Sequence, residues 1–112
     1  MSSRRKITDE AVKNFLFRRP FKKANTAVEI DTVTGTSYLL LHRHKIAALT
    51  QNNDLWIRNA GWQTVTTKER LNGLPRVSII QRKGTWYLNG MSWNGTPKHV
   101  AKLSTDDIWF KQ

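Results

Sequence analysis

From Asn25 onward the hydrophobic period of this chain is two, which commits most of its length to short strands. TAVEIDTV alternates, with Val28 and Ile30 on one face and Glu29 and Asp31 on the other. Thr34-Gly35 is a turn, Tyr38 to Leu41 is a buried run of strand length, and Ile46 to Thr50 is another strand. Gln51 to Asp54 turn the chain so that LWIRNA returns alongside as a β-hairpin. RVSII and TWYLN flank Gln81-Arg82-Lys83-Gly84, a second hairpin with Gly at a turn position. Asn89-Gly90 and Asn94-Gly95 mark further turns, and Thr96 to Leu103 reads as an edge strand with Pro97 near its start. Ser104 to Asp107 cap a short terminal turn or helix through Ile108, Trp109 and Phe110, which tie the C-terminus to the body.

Before Asn25 the pattern is helical. Thr8 or Asp9 caps a helix beginning near Asp9, with acids in the first turn where the dipole favours them. Ile7, Ala11, Val12, Phe15 and Leu16 form one apolar stripe, and Lys6, Lys13 and Phe17 fall opposite. Pro20 stops the helix, leaving Arg18 and Arg19 in its last turn. The expected fold class is α+β, mostly β: an N-terminal helix, then an antiparallel meander of about six short strands, with a short helical turn near 67–72. One domain, 1–112, is expected, divided into a basic N-terminal helix or arm (1–23) and a β-rich body (25–112). A closed barrel and an open sheet both satisfy the pattern.

The helical turn belongs to the run GWQTVTTKERLN at 61–72. Thr66-Thr67-Lys68-Glu69 fits a capping box, with Leu71 and Leu74 turned to the core and Lys68 and Arg70 outward. Trp62 is expected beneath the turn, in the core. A helix N-terminus among threonines and cations also makes a phosphate-holding corner. The residues Gly61, Trp62, Thr64, Thr66, Thr67, Lys68, Arg70, Leu71 and Asn72 resemble a motif of small bacteriophage proteins. The resemblance implies a viral protein acting inside an infected bacterium, and it brings no activity, cofactor or partner with it.

Charge points to the partner. Nineteen Lys and Arg against eight Asp and Glu give a formal net charge of +11, which attracts polyanions. Nucleic acid is the expected partner, DNA ahead of RNA, bound largely without regard to sequence. The N-terminal block supplies Arg4, Arg5, Lys6, Lys13, Arg18, Arg19, Lys22 and Lys23, with Phe17 beside them. His42, Arg43, His44 and Lys45 form a phosphate-contacting strand end. Lys68, Arg70, Arg82 and Lys83 add further cations. Trp56 with Arg58, and Tyr87 near Arg82 and Lys83, are candidate stacking groups, since aromatic faces in a basic groove hold bases of single strands. At least three of the five Trp are expected to fill the core. The alternative partner is an acidic host protein that the basic face docks and modulates.

Other chemistry finds little support. With no Cys, thiolate zinc sites and Cys nucleophiles are excluded. His42-x-His44 in a strand puts two imidazoles on one face, but two cations within the motif repel a metal ion. No Walker loop, Gly-x-Ser-x-Gly or carboxylate cluster is present, so neither enzymatic activity nor a cofactor is expected. No segment has the length of a membrane span and the N-terminus lacks an apolar signal core, so a soluble intracellular protein is expected, which the resemblance to phage proteins would place in the cytoplasm of the infected cell.

Overall fold

The computed structural model describes residues 3–109, with side chains from Lys6 to Ile108. Helix α1 (Ser3–Leu16) buries Ala11, Val12, Phe15 and Leu16 and exposes Lys6 and Lys13, as the apolar stripe requires. It begins ahead of the expected Thr8 or Asp9 cap. Thr8 instead sits inside the helix, buried, with its hydroxyl turned toward the second helix. The end of α1 is also earlier than Pro20. Arg18 adopts φ 57°, its N–H reaches the Phe15 carbonyl, and the Arg19 N–H reaches back to Asn14. That is a Schellman ending with arginine where glycine usually stands.

Strands β1 (Phe21–Lys23), β2 (Thr26–Ile30), β3 (Ser37–Leu41), β4 (His44–Leu49) and β5 (Asp54–Ile57) follow as an antiparallel meander. After the second helix, α2 (Val65–Asn72), come β6 (Ile79–Arg82), β7 (Thr85–Leu88), β8 (Met91–Ser92) and β9 (Lys98–Lys102), then α3 (Thr105–Trp109). β9 returns to pair with β5, giving a six-stranded sheet of order β1-β2-β3-β4-β5-β9, while β6-β7-β8 form a small sheet of their own. Fold class is therefore as expected, α+β and mostly β, with more strands than the six anticipated. The large sheet runs open from β1 to β9. Phe21–Lys23, assigned by sequence to the basic arm, is its first strand.

The hairpins follow their turn chemistry. Lys83-Gly84 and Asn89-Gly90 both take positive φ at two successive residues, as the tight type I′ turn demands. The β3–β4 turn does the same with His42 (φ 51°) and Arg43 (φ 70°), so the His-Arg-His-Lys tetrad is a hairpin tip rather than continuous strand. One face of the large sheet presents Val28, Leu39, Leu41, Ala47, Leu49, Leu55 and Ile57 to a core shared with α1, Leu71 and Leu74 near α2, and Ile79, Trp86 and Leu88 of the small sheet. α1 and α2 touch closely at Gly73, where a Cβ would stand 2.5 Å from a Thr8 methyl.

The cap of α2 lies two residues earlier than expected. Thr64, in extended conformation (φ −115°, ψ 164°), accepts from the Thr67 N–H at 3.2 Å, so Thr66 is inside the helix. The helix buries Thr67, Arg70 and Leu71. At the other end of the chain the expected cap is present: Ser104 N–H donates to the Asp107 carboxylate at 2.8 Å, and Asp107 N–H returns to the Ser104 hydroxyl. Ile108 packs on the core. The anchoring expected of Trp109 and Phe110 lies outside the described side chains.

Candidate nucleic-acid interface

The other face of the large sheet is built in cross-strand rows, because residues paired across antiparallel strands share a face. One row runs Lys22–Ala27–Leu40–Lys45 across β1 to β4. The next runs Glu29–Tyr38–Ala48–Trp56–His99 across β2 to β5 and on to β9. Leu40 belongs to this face, since it is buried yet stands apart from the core cluster. The helices and the small sheet direct their buried residues to the opposite side. Lys22, Glu29, Lys45, Trp56 and Arg58 are exposed here.

Two concavities lie along these rows. A groove of about 710 Å³ is lined by Lys22, Asn25, Ala27, Glu29, Leu40, His42, Arg43 and Lys45. Its cations outnumber its single carboxylate, so it favours an anion. A second hollow of about 460 Å³ lies between Tyr38 and Trp56, with Lys45, Ala48, Arg58 and Pro97 around it. The Lys45 ammonium stands 4.0 Å from the centre of the Tyr38 ring, a cation–π geometry. Trp56 is 42% exposed, and His99 meets its ring edge-on at 5.1 Å. His99 is in turn held by the Asp54 carboxylate at 3.1 Å. The Arg58 Nε–H donates to the Lys45 carbonyl at 2.6 Å, which fixes the guanidinium at the rim.

Of the candidates named from the sequence, Lys22, His42, Arg43, Lys45, Trp56 and Arg58 are brought together on this face. Others are scattered. Lys6 and Lys13 lie on the exposed side of α1, which packs against the opposite face of the sheet. The side chains of Arg4 and Arg5 fall outside the described residues. Lys23 pairs with Glu10 at 3.5 Å. Phe17, expected to face out, is half-buried against the core, and the exposed Arg19 lies 5.4 Å from its ring. Arg82, Lys83 and Tyr87 stand on the small sheet, and Lys68 donates to Gln81 there at 3.2 Å.

Three further side chains stand elsewhere than the sequence placed them. Arg70 does not face outward: it is 2% exposed, its Nε donates to Thr26 at 2.9 Å and its terminal nitrogen to Thr8 at 2.7 Å. Thr8 donates onward to Glu69 at 3.2 Å, so α1, α2 and β2 are joined through one guanidinium. Arg18 is likewise turned inward, bonded to the carbonyls of Gly35, Leu49 and Thr50 and to the Asn53 side chain. Burial draws its pKa below the ordinary arginine value. Both groups satisfy backbone and hydroxyl acceptors that would otherwise go unpaired. Trp62, finally, is no core residue. It is 45% exposed and lies 6.2 Å from the His42 ring and 5.8 Å from the His44 ring, because the earlier cap leaves it outside the turn. Trp86 is buried and Trp93 packs against the core, Trp56 and Trp62 are half-exposed, and the Trp109 side chain is not described.

A family model described as Kyanoviridae Gp96 protein matches residues 4–110. The chain belongs to this family. It is therefore a bacteriophage protein, as the resemblance of the 61–72 run implied, although the match rests on nearly the whole chain and does not single out that run. No curated protein and no solved structure matches it. Among the described residues, no helix is long and apolar enough to cross a membrane, and no three His, Asp or Glu side chains converge to hold a metal ion.

Tyr38 and His99 join the candidate face without being singled out by the sequence. Tyr38 heads a run that reads as buried, although its parity with Leu40 and its opposition to Leu39 assign it to the outer face. His99 had no sequence signal, since its pairing with Trp56 depends on the return of β9.

Proposed function

We propose that this phage protein binds nucleic acid without catalysing a reaction on it, in the cytoplasm of the infected cell, with DNA ahead of RNA. The observation that carries the proposal is the exposed sheet face: Tyr38 and Trp56 in one row, with Lys22, Arg43, Lys45 and Arg58 beside them. Aromatics supply sequence-tolerant stacking, and the cations supply phosphate contacts. A net charge of +11 adds long-range attraction for any polyanion. Nothing on this face resembles a recognition helix, in keeping with binding that ignores sequence.

Fluorescence anisotropy with labelled DNA and RNA, titrated at several salt concentrations, tests the proposal. Four phosphate contacts to a single strand correspond to a log–log salt slope of roughly −3, or about 50-fold weaker binding between about 50 and 200 mM salt. Replacing Lys22, Lys45 or Arg58 by Ala should each reduce that slope by about one contact, whereas Lys6→Ala and Lys13→Ala should leave it nearly unchanged. Absence of binding to any nucleic acid at the lowest salt would overturn the proposal.

The second reading, a host protein as partner, has its own observation. Ile80 and Met91 are exposed on the small sheet, and Ile80, Tyr87 and Arg82 line one hollow there. An apolar centre with an Arg at its rim suits a protein interface. Its signature would be a single stoichiometric host partner that binds the wild-type chain and not Ile80→Ser.

A further inference from the structure

The hollow on the outer sheet face has the shape of a slot. Tyr38, Ala48 and Trp56 occupy successive strands of one row. Neighbouring strands lie about 4.8 Å apart, so the two aromatic residues arise from backbones roughly 10 Å apart. Side chains of a sheet stand roughly perpendicular to it, and the residue paired between these two is Ala48, whose methyl forms the floor, with Lys45 alongside at the Tyr38 wall. Aromatic groups stack at centroid separations of about 4.5–7 Å, so a planar base standing over Ala48 lies in range of both walls. One wall is fixed in advance: His99 closes the far side of Trp56 and is itself held by Asp54. Pro97 helps to line the slot.

Charge selects what enters. Lys45 lies over the Tyr38 ring, where an incoming base displaces its ammonium toward the phosphate that the base carries. Arg58 is anchored by its Nε alone, and its terminal nitrogens have no protein partner among the described residues. They form a fork suited to phosphate oxygens at the rim. A base already paired and stacked in a duplex cannot enter between two walls, but an unpaired base can.

We infer that this slot holds one unpaired nucleobase of a single-stranded nucleic acid, stacked between Tyr38 and Trp56, with its flanking phosphates on Lys45 and Arg58. The inference rests on the nucleic-acid reading of the sheet face and adds strandedness and a base-holding position to it. The test is a titration of the full chain with oligo(dT), oligo(rU) and a duplex of equal length, read by tryptophan fluorescence and by anisotropy. Quenching by the single strands and none by the duplex is expected. The quench should persist in Trp62→Phe and vanish in Trp56→Phe. Ala48→Leu, which fills the slot floor, and Trp56→Ala should each weaken single-strand binding about 5- to 150-fold, the loss of one stacked base. A thermal melt confirms that each variant is folded, and Tyr38→Ala provides an independent second wall. Equal quenching by duplex, or a quench that follows Trp62, overturns the slot. So does wild-type affinity in Ala48→Leu and Tyr38→Ala while Lys22→Ala, Lys45→Ala and Arg58→Ala bind weakly, an outcome that leaves the binding face itself standing. Failure of every nucleic acid to bind removes the underlying reading and the slot with it.

Discussion

Arg18 and Arg70 show how a cation in a very basic chain can be structural. Arg70 donates to Thr26 and Thr8, 44 and 62 residues away in sequence, distances over which no local pattern signals a partner. Any arginine in such a chain looks like a phosphate ligand until the acceptors around it are known. Removing one member of a buried charged network leaves the rest unpaired, so Arg70→Ala should cost ~3–5 kcal/mol in a denaturant melt. Arg70→Lys should recover little, since an ammonium lacks the planar fork. The cap of α2 gives a second test on neighbouring residues. Thr64→Ala should cost ~0.5–2 kcal/mol, because the Thr67 N–H loses its acceptor. Thr66→Ala, two residues on, should stay within ~0.5 kcal/mol. The sequence offered three threonines with a Glu at capping-box spacing from Thr66, and local spacing alone favoured the wrong one.

Among the elements, those with a strong period or a turn dipeptide were legible. The apolar stripe of α1 was read correctly at Ala11, Val12, Phe15 and Leu16, and both expected hairpins are present. Phe15 is fully buried, so Phe15→Ala should cost ~3–5 kcal/mol, and Phe17→Ala, from a half-buried site, clearly less. Strand β1 was not legible. Phe-Lys-Lys has too little alternation to read, and the strand exists only as the edge partner of β2. The terminal helix α3 carries a pH dependence. Asp107 accepts from the Ser104 backbone N–H and then from Arg76, which holds its pKa below the usual carboxylate value. A depressed folded pKa contributes stability that is full above the unfolded value of about 4 and is lost as pH falls through the folded value. Acid titration of the wild type should therefore show a loss of stability below about pH 4 that is smaller in Asp107→Asn.

For the whole molecule, the class of fold followed from the switch of period at Asn25, while the division into two sheets did not. Which strands share a sheet depends on the long return of β9, and turn residues carry no record of it. The candidate face was half legible for the same reason. Lys22, Arg43, Lys45, Trp56 and Arg58 announce themselves by type, but only the register across β1 to β5 assembles them with Tyr38. Its two edge strands carry Lys22 and Lys23 at one end and Lys98 and Lys102 at the other. Lysines on free edges discourage strand addition by a second chain.

The pairing of β9 with β5 also sets an order of events. β1 to β5 zip by successive short hairpins, each closing a small loop, but β9 must find its partner across residues 58–97. Closing that longer loop carries a larger entropy cost before any ladder bond forms, so it belongs late in folding. Substitutions in β9 should then act mainly on the unfolding limb of a chevron plot, and those in the β3–β4 hairpin mainly on the refolding limb. Stopped-flow kinetics of Val100→Ala and Leu39→Ala would check this. A refolding rate slowed as much by the first as by the second would mean that the two ends of the sheet meet early.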